Sequence, residues 1–171
     1  QVVTRKNLGQ VASDTQLLIR ELAVSAPQQL ADELVRSVLL DIAGLVNPHL
    51  PPSRVAPLWD YLASQPGYNA LSETTRDWFA LHRAIGSREA RSMAALAQRL
   101  IETSPKEKLS AQEAGYLLAA GLTAYLAMGD KVKANALLEA FNNHQKPINQ
   151  PPIHLQLLLR QLTHNHNEPV R

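Results

Sequence analysis

The sequence predicts an all-α fold of about eight helices, arranged as stacked antiparallel α-hairpins. Apolar residues recur at helical spacing in nearly every segment, and no segment shows the alternation that is typical of a strand. Aromatic residues make up only 5% of the chain while Leu and Ala are frequent, which suits close packing of helix on helix. Two short turns, at 84–87 (Ala-Ile-Gly-Ser) and 127–130 (Ala-Met-Gly-Asp), separate consecutive helices and predict the hairpins.

A single helical-repeat domain is predicted over 14–163, between a frayed segment at 1–13 and a flexible tail at 164–171. Proline, glycine and capping residues divide this domain into its parts. In chain order the parts are a helical pair at 14–46, a linker at 47–52, hairpins over about 53–147 and a capping helix at 152–162.

The helical pair is predicted from apolar residues at steps of four, which run from Leu30 to Val46 in its second helix. The linker follows because the prolines within 47–52 remove backbone donors and disfavour helix in the residues before them. A short helix from about Arg54 to Ser64 comes next and brings Trp59 to an inner face.

The hairpins are predicted from residues that favour the beginning or the end of a helix. The first combines helices at about 73–85 and 88–102. The second begins at Ser110, whose hydroxyl can accept a hydrogen bond from the Glu113 amide while the Glu113 carboxylate reaches back, as in a capping box. Asp130 can cap its second helix. The helix at 152–162 would then cover the open end of the stack.

The second hairpin has an aromatic residue near the end of its first helix, a small residue opening its second helix and a proline beyond it. These residues are Tyr125, Ala134 and Pro147, with Gly129 and Asp130 at the turn. In these positions the hairpin resembles a tetratricopeptide repeat. The first hairpin departs from the pattern at Ser87 and Arg91, so the resemblance is to a degenerate helical-repeat protein.

The resemblance implies a groove, lined by the first helix of each hairpin, that binds a protein or peptide. The corresponding residues here are Thr75, Phe79, His82 and Arg83 in the first hairpin and Ala119, Thr123 and Leu126 in the second. They depart from the clamp of Lys, Asn and Arg in the tetratricopeptide domains that hold acidic C-terminal peptides, so recognition is expected to be mostly apolar. Phe79 is the expected anchor, because it points about 100° around the helix from Trp78. The alternative is that Phe79 packs on the short helix that contains Trp59.

Chemistry at a catalytic or metal site is not expected. The chain has no cysteine, which excludes disulfides and thiolate metal ligands. His164 and His166, with the distant Glu168, offer too few convergent ligands for a metal site. No nucleophile or phosphate-loop motif is present, so we predict no catalytic residue and no cofactor.

The charge pattern does not favour nucleic acid. The formal net charge is only +2. The densest basic set is Arg76, Arg83, Arg88, Arg91 and Arg99. Acidic residues lie among these arginines, and no base-stacking aromatic residue accompanies them. We therefore interpret the set as ordinary surface charge, and the alternative is a site for an anionic partner.

These observations predict a non-catalytic scaffold or adaptor domain of a larger bacterial protein, which binds a protein segment in its helical groove. The alternatives are a helical accessory domain of an enzyme or a membrane-associated machine, and a nucleic-acid-binding helical repeat. No segment is apolar for long enough to span a membrane, so a soluble domain is expected. Gln1 is not an initiator and indicates a truncated or processed start. The compartment, cytoplasm or periplasm, and the oligomeric state are left open.

Overall fold

The computed structural model describes residues 28–106 and 108–164, together with the single positions 10, 13 and 17. The two described ranges contain seven α-helices and one short 3-10 helix, and no strand. The helices are α1 (Gln28–Val46), α2 (Pro52–Ala63), α3 (Glu73–Ser87), α4 (Ala90–Thr103), α5 (Ala111–Ala127), α6 (Lys131–His144) and α7 (Ile153–His164), and the 3-10 helix is Tyr68–Ala70. The all-α prediction is confirmed. The segment 1–13, the helix predicted from about 14 and the tail beyond 164 lie outside these ranges.

The chain divides into two compact units, Gln1–Glu89 (unit 1) and Ala90–Arg171 (unit 2), where the sequence predicts one domain over 14–163. The boundary falls inside the first predicted hairpin, whose helices correspond to α3 and α4. These helices therefore belong to different units. The reason lies in α3, which packs on α1 and α2 instead of serving chiefly as the first half of a hairpin.

The core of unit 1 joins α1, α2 and α3. Its buried residues are Val35, Leu39, Ile42, Ala43, Val46, Val55, Trp59, Leu62, Leu71 and Phe79. The predicted stripe of α1 is confirmed at Ile42 and Val46, but Leu34 is 46% exposed. Val35 and Leu39, which broaden this apolar stripe in the sequence, are also buried and lie at the centre of the buried face.

A hydrogen-bonded asparagine at the end of α1 ties the helices of unit 1 together. The Asn47 amide nitrogen donates to the backbone oxygen of His82 at 3.0 Å, and the Trp59 indole nitrogen donates to the Asn47 amide oxygen at 3.1 Å. The backbone of Gly86 lies so close that an added Cβ would overlap Val55 and come within 2.5 Å of the Asn47 oxygen. The end of α3 is therefore fitted closely onto α1 and α2.

In unit 2, α5 packs on α4, α6 and α7. The capping box at its start is confirmed, since the Ser110 hydroxyl accepts from the Glu113 amide and the Glu113 carboxylate from the Ser110 amide, both at 3.1 Å. The helix predicted at 152–162 is α7, and it packs on α5 and α6. The second predicted hairpin is thus the pair α5 and α6.

Three helices of unit 2 meet at Gly121. A Cβ added there would overlap the Leu137 side chain of α6 and lie 3.3 Å from the Ala97 Cβ of α4. We expect Gly121→Ala to lower the free energy of unfolding by about 1–2 kcal/mol, because overpacking outweighs the higher helix propensity of alanine. Urea unfolding of the full chain measures this.

The matched control is Gly44→Ala in α1, where an added Cβ meets nothing within 4 Å. This control should raise the free energy of unfolding by about 0.5–1 kcal/mol through helix propensity alone. Equal stabilisation by the two substitutions would contradict the close approach of α4, α5 and α6.

Candidate partner-binding pocket

A pocket with a cavity volume of about 480 Å³ opens in unit 2 between α4, α5 and the start of α6. We call it the α4–α6 pocket. Its volume lies within the range of sites that hold small molecules or a few side chains. Its lining residues are Arg91, Ala94, Ala95, Gln98, Tyr125, Met128, Asp130 and Lys133.

The turn between α5 and α6 shapes one side of the pocket. Gly129 has a φ of 72°, a left-handed conformation that favours glycine. The amide of Asp130 then donates to the Tyr125 carbonyl at 2.9 Å, which closes the end of α5. The Asp130 carboxylate accepts from the Lys133 amide at 3.0 Å, so the predicted cap of α6 is confirmed. This turn places Met128 at the edge of the pocket.

Tyr125 forms a fixed wall of the pocket. Its hydroxyl donates to the Gln98 amide oxygen at 2.7 Å, and the Gln98 amide nitrogen donates to the Glu102 carboxylate at 3.2 Å. Burial raises the pKa of Tyr125, and the nearby carboxylates of Asp130 and Glu102 raise it further. The phenol therefore stays protonated and engaged as a donor, and it is not free to act as a base.

The remaining lining residues offer apolar surface beside positive charge. Ala95 is exposed and the Met128 side chain is 40% exposed. Arg91 and Lys133 are exposed at the rim. The lining residues include no serine, cysteine or histidine. The pocket is suited to holding a ligand.

The residues predicted to line a groove do not line this pocket. Thr75, Phe79, His82 and Arg83 lie on α3 in unit 1, whereas Ala119, Thr123 and Leu126 lie on α5 in unit 2. Thr75, Phe79, His82 and Ala119 are buried. Arg83 and Leu126 are half-buried and Thr123 is exposed. A buried side chain cannot contact a partner while the fold stays closed, so the assignment of those four residues to an open groove is wrong.

Phe79 is a core residue and not an exposed anchor. It is 2% exposed, and its ring meets the rings of Trp59 and Tyr68 edge-on, with centroids 6.2 and 5.1 Å away. The alternative interpretation, that Phe79 packs on the helix containing Trp59, is confirmed. The direction in which Phe79 leaves α3 was predictable, but the sequence does not show that α2 lies there.

The other predicted residues of α3 are also engaged inside unit 1. The Thr75 hydroxyl accepts from the Ser72 hydroxyl at 3.2 Å. Arg83 donates to the Asp60 carboxylate at 2.8 Å, and this hydrogen bond raises the pKa of Arg83. A second carboxylate, that of Glu89, lies 3.6 Å from the Arg83 guanidinium. Arg83 thus stabilises contacts of its own unit.

His82 is completely buried, and its ring stacks on the indole of Trp59 and lies tilted against the indole of Trp78. Its ring centroid lies 5.3 Å from that of Trp59, with a 22° angle between the planes, and 5.8 Å from that of Trp78. Burial lowers the pKa of His82 to about 3, because water no longer solvates the charged imidazolium. His82 is therefore neutral in the folded protein at ordinary pH.

Several pocket residues are prominent in the sequence for other reasons. Tyr125 and Asp130 carried the repeat resemblance, and Arg91 belonged to the basic set. Met128 lies in the predicted turn at 127–130, and it is 40% exposed because α5 ends just before it. Gln98 carried no signal, since its role depends on the distant Tyr125 hydroxyl.

The described parts of the chain contain no group of three or more His, Cys, Asp or Glu side chains placed to hold a metal ion. His166 and Glu168, considered in the sequence as ligands, lie outside those parts. None of the helices described has both the length and the hydropathy needed to cross a membrane.

No protein-family model matches the chain, and no curated protein or solved structure matches it either. The resemblance of α5 and α6 to a tetratricopeptide repeat stays a prediction. At its pattern positions, Ala134 is fully buried, Gly129 is left-handed and Pro147 follows the end of α6.

Proposed function

We propose that unit 2 is a non-catalytic binding module, which holds a segment of another protein in the α4–α6 pocket. The observation that carries this proposal is the combination of exposed apolar side chains, Ala95 and Met128, with the fixed aromatic wall of Tyr125. Exposed apolar surface beside a rigid wall is the kind of surface that a partner side chain buries.

The flexible thioether of Met128 suits such a surface. Methionine adapts to irregular partners, because it is unbranched and its sulfur is polarisable. The Tyr125 ring gives the same site a rigid element, since its hydroxyl is held by Gln98. A scaffold or adaptor role is the function that this combination supports best, and it agrees with the role implied by the repeat resemblance.

The test is site-specific photo-crosslinking of the full chain. A photoreactive amino acid replaces Ala95 in the pocket, or Gln112 at the other end of α5 as a control. Both positions are exposed. Gln112 lies about 20 Å along the helix from Tyr125 at 1.5 Å per residue. In lysate of the organism that encodes the chain, the Ala95 variant should form a discrete adduct that the Gln112 variant does not form.

Mass spectrometry of the adduct should then identify one continuous segment of a second protein as the crosslinked site. The proposal fails if the two variants give the same adducts, since contact would then be unspecific. It also fails if the Ala95 variant is crosslinked only to a small molecule or to nucleic acid.

A further inference from the structure

The charged side chains of the α4–α6 pocket do not balance one another. Arg91 and Lys133 are the two cations of its lining, and Asp130 is the one anion. One oxygen of Asp130 accepts from the Lys133 amide at 3.0 Å, and the other lies 3.8 Å from the Lys133 ammonium. No ion pair joins Arg91 to another residue in the described part of the chain, so its charge is available at the rim.

The amide group of Gln98, the neutral polar side chain that contacts Tyr125 in the pocket lining, is already engaged in hydrogen bonds. The Gln98 amide oxygen accepts the Tyr125 hydroxyl, and its nitrogen is directed to Glu102. Ala94, Ala95 and Met128 supply the apolar surface. A bound segment therefore meets an apolar surface with positive charge at its edge.

We infer that the segment held in the α4–α6 pocket is an acidic peptide of a partner protein, in which an apolar side chain stands next to a carboxylate. The apolar side chain would lie on Met128 and Ala95, and the carboxylate would accept hydrogen bonds from Arg91 and Lys133. This inference rests on the proposed function, because it names the chemistry of the partner at the same pocket.

Other classes of segment fit less well. A basic segment would bring its cation close to Arg91, and like charges at an interface weaken binding. A nucleic acid strand would need an open aromatic face for stacking, but Tyr125 is only 7% exposed. An acidic and apolar peptide uses both kinds of surface that the pocket offers.

The test begins with a random peptide library displayed on phage and selected on the full chain. Enriched peptides are synthesised with a fluorescent label, and their affinity is measured by anisotropy. We expect them to combine Asp or Glu with Leu, Ile, Met or Phe. The double variant Arg91→Gln with Lys133→Gln should weaken binding about tenfold, and Glu→Gln or Asp→Asn in the peptide should have a similar effect. Added salt should weaken binding to the parent chain.

Two further variants make the outcomes distinct. Lys131→Gln is the matched control, because Lys131 is an exposed lysine of α6 that does not line the pocket, and it should leave the affinity unchanged. Ala95→Trp fills the pocket and should abolish binding. Suppose that Ala95→Trp abolishes binding, but the enriched peptides are neutral or basic, or bind the double variant as tightly as the parent chain. The acidic chemistry is then refuted and the proposed function stands. If no peptide is enriched, or Ala95→Trp has no effect, both fail.

Discussion

Phe79→Ala is expected to lower the free energy of unfolding by about 3–5 kcal/mol, the usual loss when a buried phenylalanine is truncated. Phe79 is 2% exposed, and its ring packs edge-on against Trp59 and Tyr68. Removal of the ring leaves a cavity among α1, α2 and α3. This cavity cannot close, because α3 is already fitted closely onto its neighbours at Gly86 and Asn47. Urea unfolding followed by circular dichroism measures the loss.

Tyr61→Ala in α2 is the control, because Tyr61 is an aromatic residue of the same unit that is 49% exposed. Truncation there should cost no more than about 1 kcal/mol. If Phe79→Ala costs as little as Tyr61→Ala, Phe79 is not part of the core and the correction of the predicted groove is itself wrong. A loss as large as expected supports the place of Phe79 in the core of unit 1.

The second large effect is a loss of stability in acid that depends on His82. Burial holds the pKa of His82 at about 3 in the folded protein, against a usual value of 6.5. Between these values the unfolded chain binds a proton that the folded protein does not bind. The contribution of His82 to the free energy of unfolding is therefore complete above about pH 6.5 and falls by about 1.4 kcal/mol for each pH unit as the pH is lowered toward 3.

The measurement compares the free energy of unfolding of the parent chain and of His82→Gln over this pH range. His82→Gln should be less stable than the parent at neutral pH, because glutamine does not replace the stacking on Trp59. Between pH 7 and pH 4, however, the free energy of unfolding of His82→Gln should fall by about 3 kcal/mol less than that of the parent. The control His49→Gln removes an exposed histidine and should keep the pH dependence of the parent. Parallel curves for the parent and His82→Gln would refute the burial of a neutral histidine.

The helices were predictable because the signals that define them are local. The capping box of Ser110 and Glu113 needs only two residues at the right spacing, and so does the Asp130 cap. The pairing of α3 was not predictable in the same way. Periodicity shows that a helix has an apolar face, but not which neighbour covers that face.

The residues of α3 make this limit concrete. Apolar and polar positions alike are buried, including Thr75 and His82, so the helix has no simple outer face from which a groove could be inferred. The pairing with α1 and α2 depends on contacts over long sequence separations, such as the hydrogen bond from Asn47 to the His82 carbonyl. No spacing rule connects these residues.

The pocket was predictable only in part. The turn that ends at Asp130 and the aromatic Tyr125 are visible in the sequence, and both shape the pocket. The exposed Ala95 and the orientation of Gln98 toward Tyr125 depend on how α4 lies against α5, which the sequence does not specify. The candidate site in the structure therefore lies at the end of α5, and not in the groove that was predicted on α3 and α5.

The most direct test of partner binding in the α4–α6 pocket is a methyl NMR titration of the full chain. The chain contains two methionines, and they differ in environment, since Met128 is 40% exposed at the pocket while Met93 is 8% exposed and does not line it. With the methionine methyl groups labelled, a binding peptide from the library selection should shift the Met128 signal and leave that of Met93 unchanged. Saturable binding that leaves the Met128 signal in place would contradict the assignment of the pocket.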